Sequence, residues 1–237
     1  MSKHHAICLI GPPASGKGTT ALKIKEEFGY ELVMPGYIYK ALREQDTEMG
    51  RLVKDSLAGG GLCPSWLTNK IMLEEGEKIA KATGKPFIYD GYPRTVDQQE
   101  FMTEHFEMDL YLHFDSDINT IRKMAVNRRN CASCKCVFSA TGRSWVTCGN
   151  VQELPENCAV HNEGAWEQRW DDTEELFDKR YLTYKKETEP IIAMIQHLPN
   201  YLKVDVMNDK GAIERILDIM RGSLKPAANS DIKIPEY

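Results

Sequence analysis

No apolar run in this 237-residue chain approaches the roughly 20 residues that a membrane-spanning helix requires. The opening MSKHHAICLIGPP contains one short apolar stretch, which a glycine-containing turn follows at once, so it does not resemble a secretory signal. These absences predict a cytoplasmic protein with no membrane partner.

The sequence also lacks an excess of basic residues. Lys and Arg number 30 against 35 Asp and Glu, which gives a formal net charge of −5. Because a general nucleic-acid-binding surface is strongly basic, we expect no nucleic-acid partner. Gly and Pro are few, at 17 and 11, while 42% of the residues are hydrophobic, and this excludes disordered and fibrous proteins. The length suits one main core with an inserted subdomain.

Cysteine is present but unevenly distributed. The chain has seven cysteines, an odd number, and five of them lie between Cys131 and Cys158. Without a secretory signal, such a cluster favours metal binding over disulfides. Cys8 lies inside an apolar run instead, and we expect it to be part of the core.

Short β-like runs alternate with longer helical runs along most of the chain. This alternation predicts an α/β fold in which a five-stranded parallel sheet has helices on both faces. The β-like runs are residues 6–10, 31–34, 85–90, 108–115 and 201–206.

The stretch 130–166 breaks this alternation because it is rich in polar residues and poor in apolar periodicity. It is interpreted as an inserted subdomain. Residues 169–196 then have the pattern of one long amphipathic helix whose early acidic residues suit its positive end. The final segment, KPAANSDIKIPEY, has the composition of a tail with little structure of its own.

The stretch GPPASGKGTT matches the phosphate-loop pattern G-x-x-x-x-G-K. Its glycines let backbone N–H groups turn toward phosphate oxygens, and the following helix offers the positive end of its dipole. The usual pattern places Ser or Thr directly after the Lys, whereas here a glycine intervenes, so a plain glycine turn is the alternative. The residues expected to bind nucleotide phosphates are Gly11, Pro12, Ala14, Ser15, Gly16, Lys17, Gly18 and Thr19.

A carboxylate follows the apolar run PFIYD. Phosphate-loop enzymes hold Mg²⁺ with such a group, and the carboxyl ends of parallel strands face the ligand crevice. We therefore expect Asp90 to lie near Lys17 and to orient Mg²⁺. The alternative is an Asp that merely opens the turn DGYP.

Together, GPPASGKGT and DGYPRT resemble motifs of the adenylate kinases and other nucleoside monophosphate kinases, and the resemblance extends from Ala6 to about Arg221. It implies a phosphate-loop NTPase fold with a five-stranded parallel core and two mobile inserts. The implied core segments are 1–33, 64–129 and 169–222. The monophosphate insert is 34–63, the lid is 130–168, and the tail is 223–237.

The resemblance also implies roles for single residues. DGYPRTVDQ is similar to the family's DGFPRTxxQ, so Gly91 and Arg94 would contact the monophosphate and Gln98 its base. NRR resembles the lid-entry GRR and makes Arg128 a phosphate ligand. RWDDTEELFDKR is similar to the RxDD segment and adds Arg169 and Arg180, while Asp171 and Asp172 would steer lid geometry. Any one of these arginines taken alone could equally be a surface residue.

Several positions depart from the family pattern. The monophosphate loop, usually STGDxLR, is MPGYIYK here, with Pro35, Tyr37 and Lys40 replacing Thr, Asp and Arg. A Lys supplies charge without the bidentate fork of Arg. Gly36 remains in this loop. Two further departures are a cysteine near the base pocket and a methionine where many relatives place an Arg over the ATP adenine, at Cys63 and Met124.

Two knuckles in the lid segment carry the spacing of a closed zinc site. CASC supplies Cys131 and Cys134, and CAVH supplies Cys158 and His161. This pattern resembles the four-ligand zinc knuckle that some long-lid adenylate kinases carry at the same place, and the resemblance implies structural Zn²⁺. Either of the other two thiols of the lid, Cys136 and Cys148, could substitute as a ligand, and a lid held by polar side chains without metal is the alternative.

The combined expectation is a monomeric nucleoside monophosphate kinase. It would reversibly transfer the γ-phosphoryl group of MgATP to AMP, with Lys17, Arg94, Arg128, Arg169 and Arg180 stabilising the transferred group. One alternative is a kinase with another acceptor base. Another is a nucleotide-binding module that has lost transfer activity through the changes in its acceptor loop.

Overall fold

The structure is a computed structural model, and it describes residues 3–58, 62–131, 137–139, 166–206 and 211–222. Within these ranges, the strands are β1 (His4–Ile10), β2 (Glu31–Val33), β3 (Phe87–Asp90), β4 (Phe106–Phe114), β5 (Arg128–Cys131), β6 (Val137–Ser139), β7 (Trp166–Glu167) and β8 (Tyr201–Val204). The α-helices are α1 (Lys17–Phe28), α2 (Pro35–Arg43), α3 (Glu48–Leu57), α4 (Ser65–Thr83), α5 (Val96–His105), α6 (Ile118–Val126), α7 (Glu174–Thr183), α8 (Glu189–Ile195) and α9 (Ala212–Met220).

The main sheet has the strand order β2-β3-β1-β4-β8, and all of its pairings are parallel. Ile7 in the central strand β1 is in register with Ile88 of β3 and Leu110 of β4. The predicted five-stranded parallel sheet is thereby confirmed. Strands β2 and β3 lie on one side of β1, and β4 and β8 lie on the other. The connections therefore diverge at β1 and β4, which leaves a crevice at the carboxyl ends of these central strands.

The two faces of the sheet are both covered, which explains why its strands are nearly continuous apolar runs. Side chains of β1 alternate between the faces. Ile7 and Leu9 pack on one side with residues of α1, α6 and α9, and Cys8 packs on the other side with residues of α4, α5 and α8. Cys8 is fully buried, so its predicted place in the core is confirmed.

The segment expected to be the monophosphate insert contains helices α2 and α3. Pro35 occupies the first turn of α2, where its missing N–H has no cost. Thr47 caps α3 by accepting a hydrogen bond from the Gly50 N–H at 3.0 Å. Gly50 also packs closely on the chain between the two helices, since a Cβ there would lie 2.4 Å from the carbonyl oxygen of Gln45.

A second, three-stranded antiparallel sheet has the order β6-β5-β7. Its central strand β5 begins at Arg128, two residues ahead of the expected start of the lid at 130. Most of the expected lid and the whole of the expected tail, 223–237, lie outside the described residues. None of the helices within the described ranges is long and apolar enough to cross a bilayer.

The single long helix expected over 169–196 is not observed. Regular helix begins only after Thr173, whose hydroxyl caps α7 by accepting from the Leu176 N–H at 3.3 Å. A turn of π-helix (Tyr184–Thr188) then separates α7 from α8. Pro190 explains this interruption, because it has no N–H to donate to the Lys186 carbonyl and its ring would clash with that carbonyl in a regular α-helix.

Candidate active site

The phosphate loop connects β1 to α1 with an unusual backbone path. Gly11 has no room for a side chain, since a Cβ there would lie 2.6 Å from the carbonyl oxygen of Phe114. Ala14 and Gly16 both have positive φ, 61° and 92°, and Gly16 is the N-cap of α1. The Ser15 hydroxyl closes the turn by donating to the Pro12 carbonyl at 2.9 Å. The predicted strand, loop and helix arrangement is therefore present.

Lys17, the first residue of α1, folds its side chain back into this loop. Its ammonium donates to the carbonyl oxygens of Gly11 at 2.8 Å and Pro12 at 2.6 Å. Burial lowers the pKa of Lys17 to about 8, while the nearby charge of Asp90 raises it. The ammonium is thus held where phosphate oxygens would lie, and it is desolvated enough for a strong interaction with an anion.

Asp90 ends strand β3 and lies beside the first turn of α1. A Cβ placed on Gly18 would lie 3.4 Å from the Asp90 carboxylate. Burial raises the pKa of Asp90, and the charges of Lys17 and Arg94 oppose that rise. The expected proximity of Asp90 to Lys17 is therefore observed. A half-buried carboxylate next to a phosphate cradle fits Mg²⁺, which prefers oxygen ligands.

Arg94 lies in the connection between β3 and α5. Its Nε donates to the Gly91 carbonyl at 2.9 Å, and its backbone N–H donates to Gln98 Oε1 at 2.7 Å. Gly91 has a positive φ of 89°, and a Cβ there would lie 3.0 Å from the Arg94 guanidinium. The DGYPRTVDQ motif therefore forms a turn that holds the Arg94 side chain at the cleft, and Gln98 is buried beneath it.

Three further arginines are held by two adjacent carboxylates. Asp172, which is fully buried, accepts from Arg128, with Oδ2 2.8 Å from Nε. Asp171 accepts from Arg169 at both oxygens, at 2.9 and 2.8 Å, and pairs with Arg180 at 2.9 Å. Such bidentate pairs fix the plane of a guanidinium as well as its position.

At this cluster, burial and the neighbouring charges shift the pKa of a side chain in opposite directions. Burial raises the pKa of Asp171, but the hydrogen bonds from Arg169 and the charge of Arg180 bring it below its usual value. Burial also lowers the pKa of Arg180 to about 10, against the attraction of Asp171. Asp171 therefore offsets part of the desolvation of Arg180, whose guanidinium remains charged at neutral pH.

The arginines and the phosphate loop form one electrostatic unit. Besides burial, three guanidinium groups lower the pKa of Lys17, and they belong to Arg94, Arg180 and Arg128. The charge of Arg169 lowers the pKa of Asp90, as the charge of Arg94 does. Five cationic side chains thus surround a cleft that has three carboxylates, Asp90, Asp171 and Asp172. The remaining positive charge suits a polyanion such as a nucleotide phosphate chain.

The other expected acceptor residues lie on α2 and just before α4. Gly36 and Lys40 are exposed on α2, while Cys63 is buried just before α4. Sequence reasoning missed Tyr39, whose hydroxyl is 2.8 Å from the Thr68 hydroxyl and close enough to Arg94 for the guanidinium charge to affect it. Burial raises the pKa of Tyr39 to about 12, so it is a neutral hydrogen-bonding group. The pattern offered no signal for it beyond its place in MPGYIYK.

The two remaining predictions concern Met124 and the zinc ligands. Met124, near the end of α6, is partly buried and packs against the core cluster that contains α1. Cys131 is buried in β5, but Cys134, Cys158 and His161 lie outside the described residues, as do Cys136 and Cys148. In the part of the chain that the structure describes, no group of three or more His, Cys, Asp or Glu could hold a metal ion. The zinc site therefore stays a prediction.

Comparison with known proteins agrees with this geometry. The family model described as adenylate kinase matches residues 9–198. The adenylate kinase of Thermosipho melanesiensis is 32% identical, and the alignment covers 91% of this chain and 99% of that protein. For the adenylate kinases of Pyrococcus furiosus and Fervidobacterium nodosum the identity is 29%, with 96% and 90% of this chain and 99% and 94% of those proteins covered. This chain belongs to the adenylate kinase family.

Proposed function

We propose that this protein is an adenylate kinase-type phosphotransferase, which reversibly transfers the γ-phosphoryl group of ATP to AMP. One observation carries the proposal: Lys17 and four arginines from distant parts of the chain interact electrostatically around one phosphate loop. Phosphoryl transfer spreads negative charge over the oxygens of the transferred group, so catalysis is mostly positioning and charge stabilisation.

On the donor side, the loop N–H groups and Lys17 bind the β- and γ-phosphates of ATP. Lys17 exchanges its bonds to the Gly11 and Pro12 carbonyls for bonds to phosphate oxygens. Asp90 would hold Mg²⁺, which would neutralise phosphate charge and polarise the transferred group. Met124 packs near the adenine, and Ala14, Ser15, Gly16, Gly18 and Thr19 complete the loop.

On the acceptor side, Arg94 holds the phosphate of the monophosphate. Gln98 is buried next to it, and Lys40 and Gly36 on α2 face the same nucleotide. Cys63 and Tyr39 line the pocket for its base. The reaction needs no general base, because the acceptor phosphate is already an anion. Arg128, Arg169 and Arg180 stabilise the transferred group when the inserts close and exclude water.

The direct test is an assay that follows diphosphate formation from MgATP with each of AMP, GMP, CMP and UMP. We expect ADP formation with AMP to exceed diphosphate formation with the other three. Higher activity with another monophosphate would show an altered acceptor base preference. If no diphosphate forms with any of them, the chain is a nucleotide-binding module and the proposed function is wrong.

We also infer a structural Zn²⁺ site formed by Cys131, Cys134, Cys158 and His161. The spacing of these soft donors supports this inference, and four protein ligands would leave no open position for catalysis. Metal analysis of protein purified without chelator should find about one equivalent of zinc. Cys134→Ser should lose it, while Cys63→Ser, which is outside the lid, should retain it. Less than about half an equivalent in the unaltered protein argues against the site.

The remaining inferences concern the surroundings of the protein. We infer a cytoplasmic monomer that binds neither nucleic acid nor membrane. The net charge of −5 supports the absence of a nucleic-acid partner, and the lack of a long apolar run supports the absence of a membrane partner. Measurement of the native mass by light scattering tests the monomer: a mass near 27.0 kDa is expected, and twice that value would contradict it.

A further inference from the structure

The segment that contains Arg94 is neither helix nor strand. It lies between the end of β3 at Asp90 and the start of α5 at Val96. The backbone N–H of Arg94 donates to Gln98 Oε1 at 2.7 Å, a contact within the same turn. The backbone carbonyl of Arg94 is held from elsewhere in the chain.

That carbonyl accepts a hydrogen bond of 2.9 Å from the hydroxyl of Thr188, a residue 94 positions later. Thr188 is buried, with 7% of its surface exposed. Separating the two groups is costly, because the buried Thr188 hydroxyl would lose its partner without gaining bulk water. The contact therefore restrains the backbone from which the Arg94 side chain extends.

Thr188, which contacts Arg94, is the last residue of the π-helical turn. The N–H of Glu189 donates to the Tyr184 carbonyl, five residues earlier, instead of four. The wider turn inserts one residue relative to a continuous α-helix, which rotates the helix by about 100° at that point. Tyr184 and Thr188 are the two residues of this turn whose side chains are buried. The irregular turn thus places a short polar side chain against the Arg94 segment.

We infer that Thr188 is a positioning residue for the acceptor arginine: through its hydrogen bond to the Arg94 carbonyl, it sets the place at which the guanidinium meets the monophosphate. This inference rests on the proposed function and deepens it. Thr188 does not touch the nucleotide. It acts by limiting the backbone positions of Arg94, and the bond from Arg94 Nε to the Gly91 carbonyl adds a second restraint.

The test compares Thr188→Val, which keeps the shape and removes the hydroxyl, with Thr188→Ser, which keeps the hydroxyl. Thr188→Ala removes the hydroxyl with a smaller side chain, and it replaces the valine variant if that one does not fold. Thr183→Val is the matched control, because the Thr183 hydroxyl is exposed and donates to the Lys179 carbonyl within its own helix, at 3.0 Å.

We expect Thr188→Val and Thr188→Ala to raise the KM for AMP, and the Kd for AMP measured by calorimetry, by about tenfold. The KM for ATP should change less than about twofold, because Lys17, Arg128, Arg169 and Arg180 are untouched. Thr188→Ser should restore most of the AMP affinity, and Thr183→Val should behave as the unaltered protein. A purely structural role would lower the melting temperature without changing the ratio of the two KM values.

The inference is overturned if both variants without the hydroxyl keep the KM and Kd for AMP, or if Thr183→Val raises them equally. These outcomes differ from a failure of the proposed function, in which the unaltered protein forms no ADP from ATP and AMP. In that case the calorimetric Kd for AMP still decides whether the Thr188 hydroxyl contributes to AMP binding.

Discussion

Asp172, fully buried behind the cleft, accepts hydrogen bonds from Arg128 at both of its carboxylate oxygens, and Arg128 Nε lies 2.8 Å from Oδ2. The pair connects the first residue of β5 to the residue just before the cap of α7. It therefore fixes a cationic side chain at the junction between the main core and the smaller sheet.

Asp172→Asn should destabilise the protein by about 3–5 kcal/mol, because it leaves a largely buried guanidinium without a countercharge. Chemical denaturation measures this change. The matched control is Asp178→Asn, which interrupts the half-exposed pair with Arg122 at 2.7 Å and should cost less than about 1 kcal/mol. Equal losses in the two variants would mean that burial does not strengthen the Arg128 pair.

Lys17→Met should lower kcat by on the order of 10²–10³-fold, because it removes a preorganised charge aimed at the transferred group. The ammonium sits between two loop carbonyls at 2.8 and 2.6 Å, so Lys17→Arg should not restore the rate, since a planar guanidinium does not fit the same place. Initial rates at saturating substrates measure both variants. Lys23→Met, on the exposed side of the same helix where Lys23 pairs with Glu26, serves as the control.

The pH dependence of kcat/KM for MgATP should reflect the pKa of Lys17 in the free enzyme, about 8 because of burial. Lys17 binds phosphate as a cation, which predominates below that pH. The value of kcat/KM should therefore fall as the pH rises through about 8. Bound phosphates stabilise the cation, so kcat at saturating MgATP should persist to higher pH. A kcat/KM profile that stays level to about pH 9.5 contradicts this assignment.

Arg94→Ala should raise the KM for AMP by on the order of tenfold to hundredfold, since charged hydrogen bonds to the acceptor phosphate are lost. The KM for ATP should stay nearly the same. Steady-state kinetics with each substrate varied in turn distinguishes the two effects. Arg51→Ala is the control, because Arg51 is mostly exposed and pairs with Asp46 on the surface. An unchanged KM for AMP would place the acceptor pocket elsewhere.

Much of the architecture could be predicted from local sequence patterns. The β-like runs predicted at 6–10 and 85–90 correspond to β1 (His4–Ile10) and β3 (Phe87–Asp90), because a parallel strand buried on both faces must be apolar along its length. The phosphate loop was recognisable because its glycine positions are set by the turn itself. The proximity of Asp90 to Lys17 followed from the rule that carboxyl ends of parallel strands share one edge.

Other features could not be predicted in this way. The pattern of residues 169–196 favoured one helix, yet helix starts only after Thr173 and is interrupted before Glu189. Amphipathic periodicity detects which face is apolar, but it does not specify the hydrogen-bond pattern of a single turn, so a one-residue insertion leaves little trace in composition. Tyr39 also went unrecognised, because its contact with Thr68 joins two separate helices.

The sequence by itself determined the alternation of strands and helices, the phosphate loop and the supply of cationic side chains, because each depends on residues that are neighbours in the chain. Only the tertiary structure decided that Arg128 pairs with Asp172, that Asp171 holds Arg169 and Arg180, and that Thr188 meets the Arg94 carbonyl. Those pairings depend on how the faces of distant elements pack, and local periodicity carries no information about which distant group fills a given position.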